Sequence, residues 1–361
     1  MTLATRGRVS RSASDHPEHI ELWNDERIRA WQDYHLSGMP ELISAVHLCH
    51  ALLALSQTGI LGLLGRNGGA SVDELVAGRP ARLVRGYLRY LTVRGVLEEW
   101  QDTYRLSARG RLLTGEIALA RLGFYREAYG PVMGRLSDLL SGTARYGQDV
   151  VRVDGALSRH SGTVTTTSYT AVLLEALRGQ NTKRVVDLGC GSGALLVELC
   201  LQDASLSGIG IDIAPEAVDA ARLLAARRGV GDRLEFALAD AFDPATWPAG
   251  CRSADAITAL GVLHEALRDG DAAVVDIIDR YAAIVTGAKV LFVGEPELRY
   301  DDKENDSDFF LVHVLTGQGI PRDRTGWLGL FAKTRLRCSR IYTNAVAGPR
   351  TCFYELTSRE A

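Results

Sequence analysis

The chain lacks paired cysteines, a long apolar run and any excess of positive charge. Its six cysteines, Cys49, Cys190, Cys200, Cys251, Cys338 and Cys352, are scattered without CxxC spacing. That argues against a zinc knuckle and a disulfide framework and leaves reduced thiols. No segment supplies about 18 uninterrupted apolar residues, so a membrane span is not expected. The opening stretch MTLATRGRVSRSASDHPEH carries Arg and Ser without the apolar core of a secretory signal. Residues 1–20 therefore read as a disordered tail and the cytoplasm as the compartment. A formal net charge of −3 disfavours nucleic acid and anionic membranes as partners and points to small molecules.

What is present is the composition of a soluble globular protein: 361 residues, 46% hydrophobic and 24% charged, enough for two domains. Residues 21–145 are helical in period. An amphipathic helix with Trp23 and Trp31 comes first, in ELWNDERIRAWQDYHLSGMP, and a strongly apolar stretch follows from Glu41 to Gly65. Ser71 is placed to cap a short helix and Pro80 to open another, and WQDTYRLSARGRLL reads as two short strands around a turn. This order predicts a winged helix. Without a dense basic stripe, it reads as a dimerisation module and not a DNA reader. His47 and His50 lie in an otherwise apolar stripe and read as core or dimer packing.

Residues 146–180 read as connecting helices that line a site. From 181 to 361 short β-branched runs alternate with Ala- and Leu-rich helices: RVVDLGCGSG, GIGIDIA, RLEFALADAF, ADAITALGVLH and AKVLFVGEP. The pattern predicts an α/β, Rossmann-like domain, a parallel sheet with an antiparallel edge strand and helices on both faces, whose ligands sit beyond the strands' carboxyl ends.

In VVDLGCGSG an apolar strand reaches Asp187 and then Gly189, Gly191 and Gly193 at alternate positions, directly before a helix. Such a loop lets a ligand lie against backbone amides at a helix N-terminus. D-x-G-x-G-x-G differs from the dinucleotide rhythm G-x-G-x-x-G and resembles the motif of class I methyltransferases that bind S-adenosylmethionine. The resemblance implies that Asp212, followed by Ile213 at the second strand end, takes the ribose hydroxyls. It further implies that Asp240 takes the adenine amino group, with Ala241 offering its backbone amide to the ring.

The fourth strand delivers LHEAL to the same edge. From about residue 45 onward the chain resembles two-domain small-molecule methyltransferases with a winged-helix dimerisation domain ahead of the catalytic domain, whose O-methyltransferase members use a His at the position of His264 as general base. GVLHE, FFLVHVLTGQGI and GALSRHSGTVTTTSYTAVLLEAL resemble, more narrowly, the bacterial C-methyltransferases of α-keto acids, the 2-ketoarginine methyltransferases above all. That resemblance implies a metal held by His264 and His313, chelating the keto acid and stabilising its enolate, in natural-product biosynthesis. Imidazole and oxygen ligands suit iron or zinc.

With both histidines as ligands the base is another group, and Glu265, Glu295 and Tyr129 are candidates. The alternative is N- or O-methylation with His264 as base and no metal. A ligand-binding regulator on the same body is a third reading. GFYREAYGPVMGRLSDLL is expected to form a pocket wall, with Tyr125, Arg126, Tyr129 and Met133 toward substrate and His160 near it. Asp306, Asp308 or Glu127 would receive a guanidinium, and YDDKENDSD reads as a solvated loop able to act as a lid.

Overall fold

The computed structural model describes residues 25–66, 69–284, 289–297, 306–343 and 351–359, together with His19. Residues 1–18 and Trp23, expected as tail and first helix, lie outside this set, as do 300–305 of the stretch YDDKENDSD read as a lid. The chain falls into two compact units, 1–51 and 52–361.

The first unit holds helix Asp25–Leu36 and most of helix Met39–Gln57. Its apolar side chains are largely uncovered: Trp31, Leu36, Leu42, Ile43 and Val46 are all exposed, and so are His47 and His50. By length and composition, Met39–Gln57 is the one described helix apolar enough to cross a membrane, although Glu41, His47 and His50 punctuate it.

The second unit opens with helix Ile60–Leu64, strand β1 (Ala70–Ser71), helices Val72–Val76 and Ala81–Val93, and strands β2 (Leu97–Trp100) and β3 (Thr103–Leu106). These strands make an antiparallel sheet in the order β1-β3-β2. Ser71 caps as its sequence implies: its hydroxyl accepts from the Glu74 amide and the Glu74 carboxylate accepts from the Ser71 amide. The hairpin lies earlier than the reading of WQDTYRLSARGRLL placed it. Gln101 and Asp102, with φ of 47° and 61°, form its two-residue turn. ARGRLL is helical (Ala108–Leu113) because the Ser107 hydroxyl accepts from the Gly110 amide at 2.8 Å.

After the helical segments between Glu116 and Ser141 comes the 26-residue helix Asp154–Gly179. Strands β4 (Arg184–Leu188), β5 (Ser207–Asp212), β6 (Leu234–Leu238), β7 (Ala256–Leu260), β8 (Val290–Pro296), β9 (Leu336–Thr343) and β10 (Thr351–Ser358) then build a seven-stranded sheet ordered β6-β5-β4-β7-β8-β10-β9. The strands from β6 to β8 are parallel, and β10 runs antiparallel to both β8 and β9, one place in from the edge. Both faces are covered. Leu291 and Val293 pack with Trp327, Phe331 and Tyr281, while Val290 and Phe292 pack with Leu173, Leu177 and Phe236 on the other side, as a parallel sheet requires. The chain runs outward from β4 to β6, then returns to β7 on the other side of β4. That reversal opens a crevice at the strands' carboxyl ends.

Trp327 is fully buried in the first of these layers. Trp327→Ala is expected to remove about 3–5 kcal/mol of stability, read as a fall in the urea midpoint with the slope unchanged; a midpoint within error of the wild type would deny this layer its structural weight.

Candidate active site

One side of the crevice is the glycine loop. Gly189, Gly191 and Gly193 all have positive φ. At Gly191 a side chain would meet the Ser158 hydroxyl at 2.9 Å, so only glycine leaves the loop open there. Asp212, at the end of β5, accepts from the Gly191 amide at 2.8 Å and from the Ala214 amide at 2.9 Å. One carboxylate thereby sets the loop's shape and keeps a spare lone pair on each oxygen. Asp187 is buried, and burial pushes its pKa up to about 7 against the Thr258 hydroxyl, which donates to it at 2.6 Å. Asp240 accepts from the Phe242 amide at 2.8 Å, and the Ala241 carbonyl accepts from the Tyr281 hydroxyl. Ile213 is 73% exposed, an uncovered apolar surface of the kind an adenine ring would cover.

Two features fit S-adenosylmethionine in this cradle. The glycines keep its floor free of side chains, and the buried Ser158 hydroxyl beside Gly191 has no hydrogen-bond partner among the described residues.

The other side is a cavity of about 200 Å³. His264 enters it from the 3₁₀ turn Leu263–Asp269 that follows β7, and His313 from helix Asp306–Thr316. Their Nε2 atoms stand 3.3 Å apart. Each ring is fixed from behind: His264 Nδ1 donates to the fully buried Glu295 carboxylate at 2.8 Å, and His313 Nδ1 to the Phe309 carbonyl at 2.7 Å. Glu295, on β8, also accepts from the Val262 and His264 amides.

Burial alone would lower the His264 pKa, but the charge and hydrogen bond of Glu295 more than reverse it and the pKa is raised. His313 is pushed down to about 4 by burial and by its neighbour's charge. In a protonated pair His264 is thus the donor and His313 the acceptor.

Among the expected base candidates, Glu265 and Tyr129 line the cavity, whereas Glu295 lies behind His264. Glu265 accepts from Gln318 at 2.6 Å and Arg268 at 2.7 Å. Burial would raise its pKa, but the charges of His264 and Arg152 outweigh that and it is lowered. Burial pushes Tyr129 up to about 12, and its neutral hydroxyl donates to Gln318 at 3.1 Å.

The expected wall is present in part. Phe124 and Tyr129 line the cavity; Tyr125 and Met133 pack against that aromatic cluster, and Arg126 is exposed. Two expectations are corrected. His160 does not line the cavity, because the π-helical turn Phe124–Ala128 turns Glu127 toward it and the two bond at 2.7 Å. Glu127, also held by Arg159 and Gln57, is therefore spent and is not a guanidinium receptor. Asp308 is exposed and away from the cavity lining, and the Asp306 side chain lies outside the described residues.

The residue-by-residue reading missed Arg121, Arg152, Ser158 and Gln318. A signal existed for two: Arg121 is the one basic residue of the otherwise largely apolar helix Glu116–Gly123, and Gln318 closely follows the helix that carries His313.

This fold, with its glycine loop and strand-end carboxylates, defines a class I S-adenosylmethionine-dependent methyltransferase. A family model described as "Methyltransferase domain" matches residues 185–282. The 2-ketoarginine methyltransferase of Streptomyces arginensis is 30% identical over 309 residues, 78% of this chain and 84% of that protein. Among solved structures, mitomycin 7-O-methyltransferase superposes with a TM-score of 0.67 at 22% identity, covering 91% of this chain and 99% of the other. Human N-acetylserotonin methyltransferase in complex with S-adenosylmethionine does so with 0.65 at 18% identity, covering 94% and 100%. The chain belongs to the small-molecule methyltransferase family that includes 2-ketoarginine methyltransferase.

The upward shift of His264 has a definite pH signature. The stability contributed by the Glu295–His264 pair is fully present below the ordinary histidine pKa and fades as pH rises through the raised folded value. Glu295→Gln removes the charge and leaves burial to act alone, so the His264 pKa is expected to fall below that of the wild type in an imidazole NMR titration. An unchanged value would show that Glu295 does not control it.

Proposed function

We propose that the protein methylates the β-carbon of an α-keto acid in the biosynthesis of a specialised metabolite. The observation that carries this reading is the facing pair of histidine Nε2 atoms in the acceptor cavity, each with its Nδ1 fixed by an oxygen. Ligating histidines are held in this way, by a carboxylate or a backbone carbonyl on the far nitrogen. A separation of 3.3 Å suits two neighbouring ligands of an ion with bonds of about 2.1 Å.

Among the described residues no cluster of three or more His, Cys, Asp or Glu side chains forms a metal cage. A two-histidine site of this kind leaves positions open for an acceptor. Iron or zinc held by His264 and His313 would supply Lewis acidity toward the keto acid's oxygens.

The chain's own groups account for the rest. Asp187, the glycine loop, Asp212, Ile213, Asp240 and Ala241 hold S-adenosylmethionine. Arg152, whose charge is felt by both histidines, faces the acceptor's carboxylate. Neutral Tyr129 and Gln318 orient it, and the half-enclosed cavity limits water. Glu265, the carboxylate that lines the cavity, takes the proton as the Cβ–H bond breaks; the Cβ–methyl bond then forms as the methyl–sulfur bond breaks, and S-adenosylhomocysteine departs. A second reading, methyl transfer to a hydroxyl or amine, is favoured by Glu295 behind His264, since a carboxylate on Nδ1 orients an imidazole base.

The order helix, strand, two helices and hairpin before the catalytic domain supports a winged-helix module within residues 21–145, and we propose that the molecule is a homodimer. A second copy would cover the exposed Trp31, Leu36, Leu42 and Val46.

Two measurements test these readings. Elemental analysis of the purified protein is expected to find iron or zinc near one ion per chain, lost in His313→Ala together with at least about a hundredfold of activity. A metal-free wild type that still transfers methyl groups and ignores chelators would return His264 to the role of base. Light scattering is expected to give the mass of two chains, and Leu42→Glu with Val46→Glu that of one; a monomeric wild type refutes the dimer.

A further inference from the structure

We infer that the acceptor's tail is uncharged and aromatic or branched, and that this enzyme discriminates against the guanidinium tail of 2-ketoarginine. The inference rests on the α-keto acid reading above and concerns the end of the substrate that does not react.

A guanidinium is recognised by a carboxylate with free lone pairs in its plane. Among the described residues lining the cavity, Glu265 is the only acid. Gln318 donates to its Oε1 at 2.6 Å, Arg268 to its Oε2 at 2.7 Å, and Arg152 stands 3.7 Å from it. A cationic tail would have to displace groups of its own kind.

The two arginines among the described lining residues are positive. Arg152 is anchored by Asp154 at 2.8 Å. Arg121 lies over the Tyr125 ring, 5.5 Å from its centroid, with no acidic partner among the described residues. Two arginines against one occupied carboxylate make a cavity that attracts an anion and repels a second cation. Its other walls are apolar and aromatic, formed by Phe124, Leu157, Tyr169, Leu260 and Phe309. Glu127, on the segment that forms the pocket wall, is held by Arg159 and His160 outside the lining. An α-keto acid with an aryl or branched alkyl tail satisfies every wall: its carboxylate answers the arginines and its tail the rings.

The test is competitive turnover of the full-length protein with S-adenosylmethionine and an equimolar mixture of phenylpyruvate, 4-methyl-2-oxopentanoate, 2-oxoglutarate and 2-ketoarginine. Gain of one methylene in each acid is read by mass spectrometry. The expected result is a preference for phenylpyruvate or 4-methyl-2-oxopentanoate over 2-ketoarginine of at least about tenfold, as for a buried charge left unpaired. Arg121→Glu is expected to narrow or invert that ratio, which a merely structural arginine would not do.

Preferred methylation of 2-ketoarginine overturns the inference and leaves the keto-acid reading intact; preferred methylation of 2-oxoglutarate overturns the apolar tail in favour of a second carboxylate. Calorimetric binding of the same acids to protein saturated with S-adenosylhomocysteine separates the two claims. The same order of affinity without turnover supports the inference and sinks only the carbon-methylation reading, whereas no binding of any acid sinks both.

Discussion

Glu295 is the constraint on which the acceptor site depends. Its buried carboxylate, on β8, takes hydrogen bonds from the Val262 and His264 amides and from the His264 ring. It thereby ties the turn after β7 to the neighbouring strand. Without those three donors a carboxylate with no solvent exposure would be prohibitively placed. With them, the turn, the imidazole orientation and its protonation are set together. His313 then has a fixed partner to face, and Gly319 completes the seat, since a side chain there would collide with the His264 carbonyl.

The cofactor side follows the same principle with different parts. Asp212 gathers the Gly191 and Ala214 amides, so the loop's curvature is held by one charged group reached from the next strand. Helix Asp154–Gly179 runs past both subsites: Leu157 and Ser161 face the acceptor cavity while Ser158 faces Gly191. Donor and acceptor are therefore positioned by one rigid element, which an in-line transfer requires. Among the described residues the cavity lining carries Arg121 and Arg152 against one acid, Glu265.

Much of this was legible in the chain. The five parallel strands, the glycine loop and the strand-end aspartates are encoded by local pattern: apolar runs of strand length, glycines where backbone must approach a ligand, and acids at or just past the end of a strand. His264 was conspicuous for the same reason, a polar pair ending an apolar run. Boundaries were less secure. The hairpin Leu97–Leu106 was read a few residues late because Gln101 and Asp102 lack the glycine that marks such turns, while Ser107 turned the next stretch into a helix. His160 and Glu127 were assigned to the pocket because each is polar near a pocket segment, yet the hydrogen bond between them faces elsewhere.

By itself the sequence determined the class of fold and the glycine loop, since each is written in contiguous residues whose spacing matches the period of a strand, turn or helix; His264 stood out as a polar pair with Glu265, and His313 was singled out only by family resemblance. Only the tertiary structure decided that His264 and His313, 49 residues apart, meet at their Nε2 atoms. It also decided that Glu295 stands behind one ring and not in the cavity, and that Arg121 and Arg152 supply the cavity's charge. Those relations join separate elements across the sheet edge, where distance in space is set by packing and carries no trace in the local pattern.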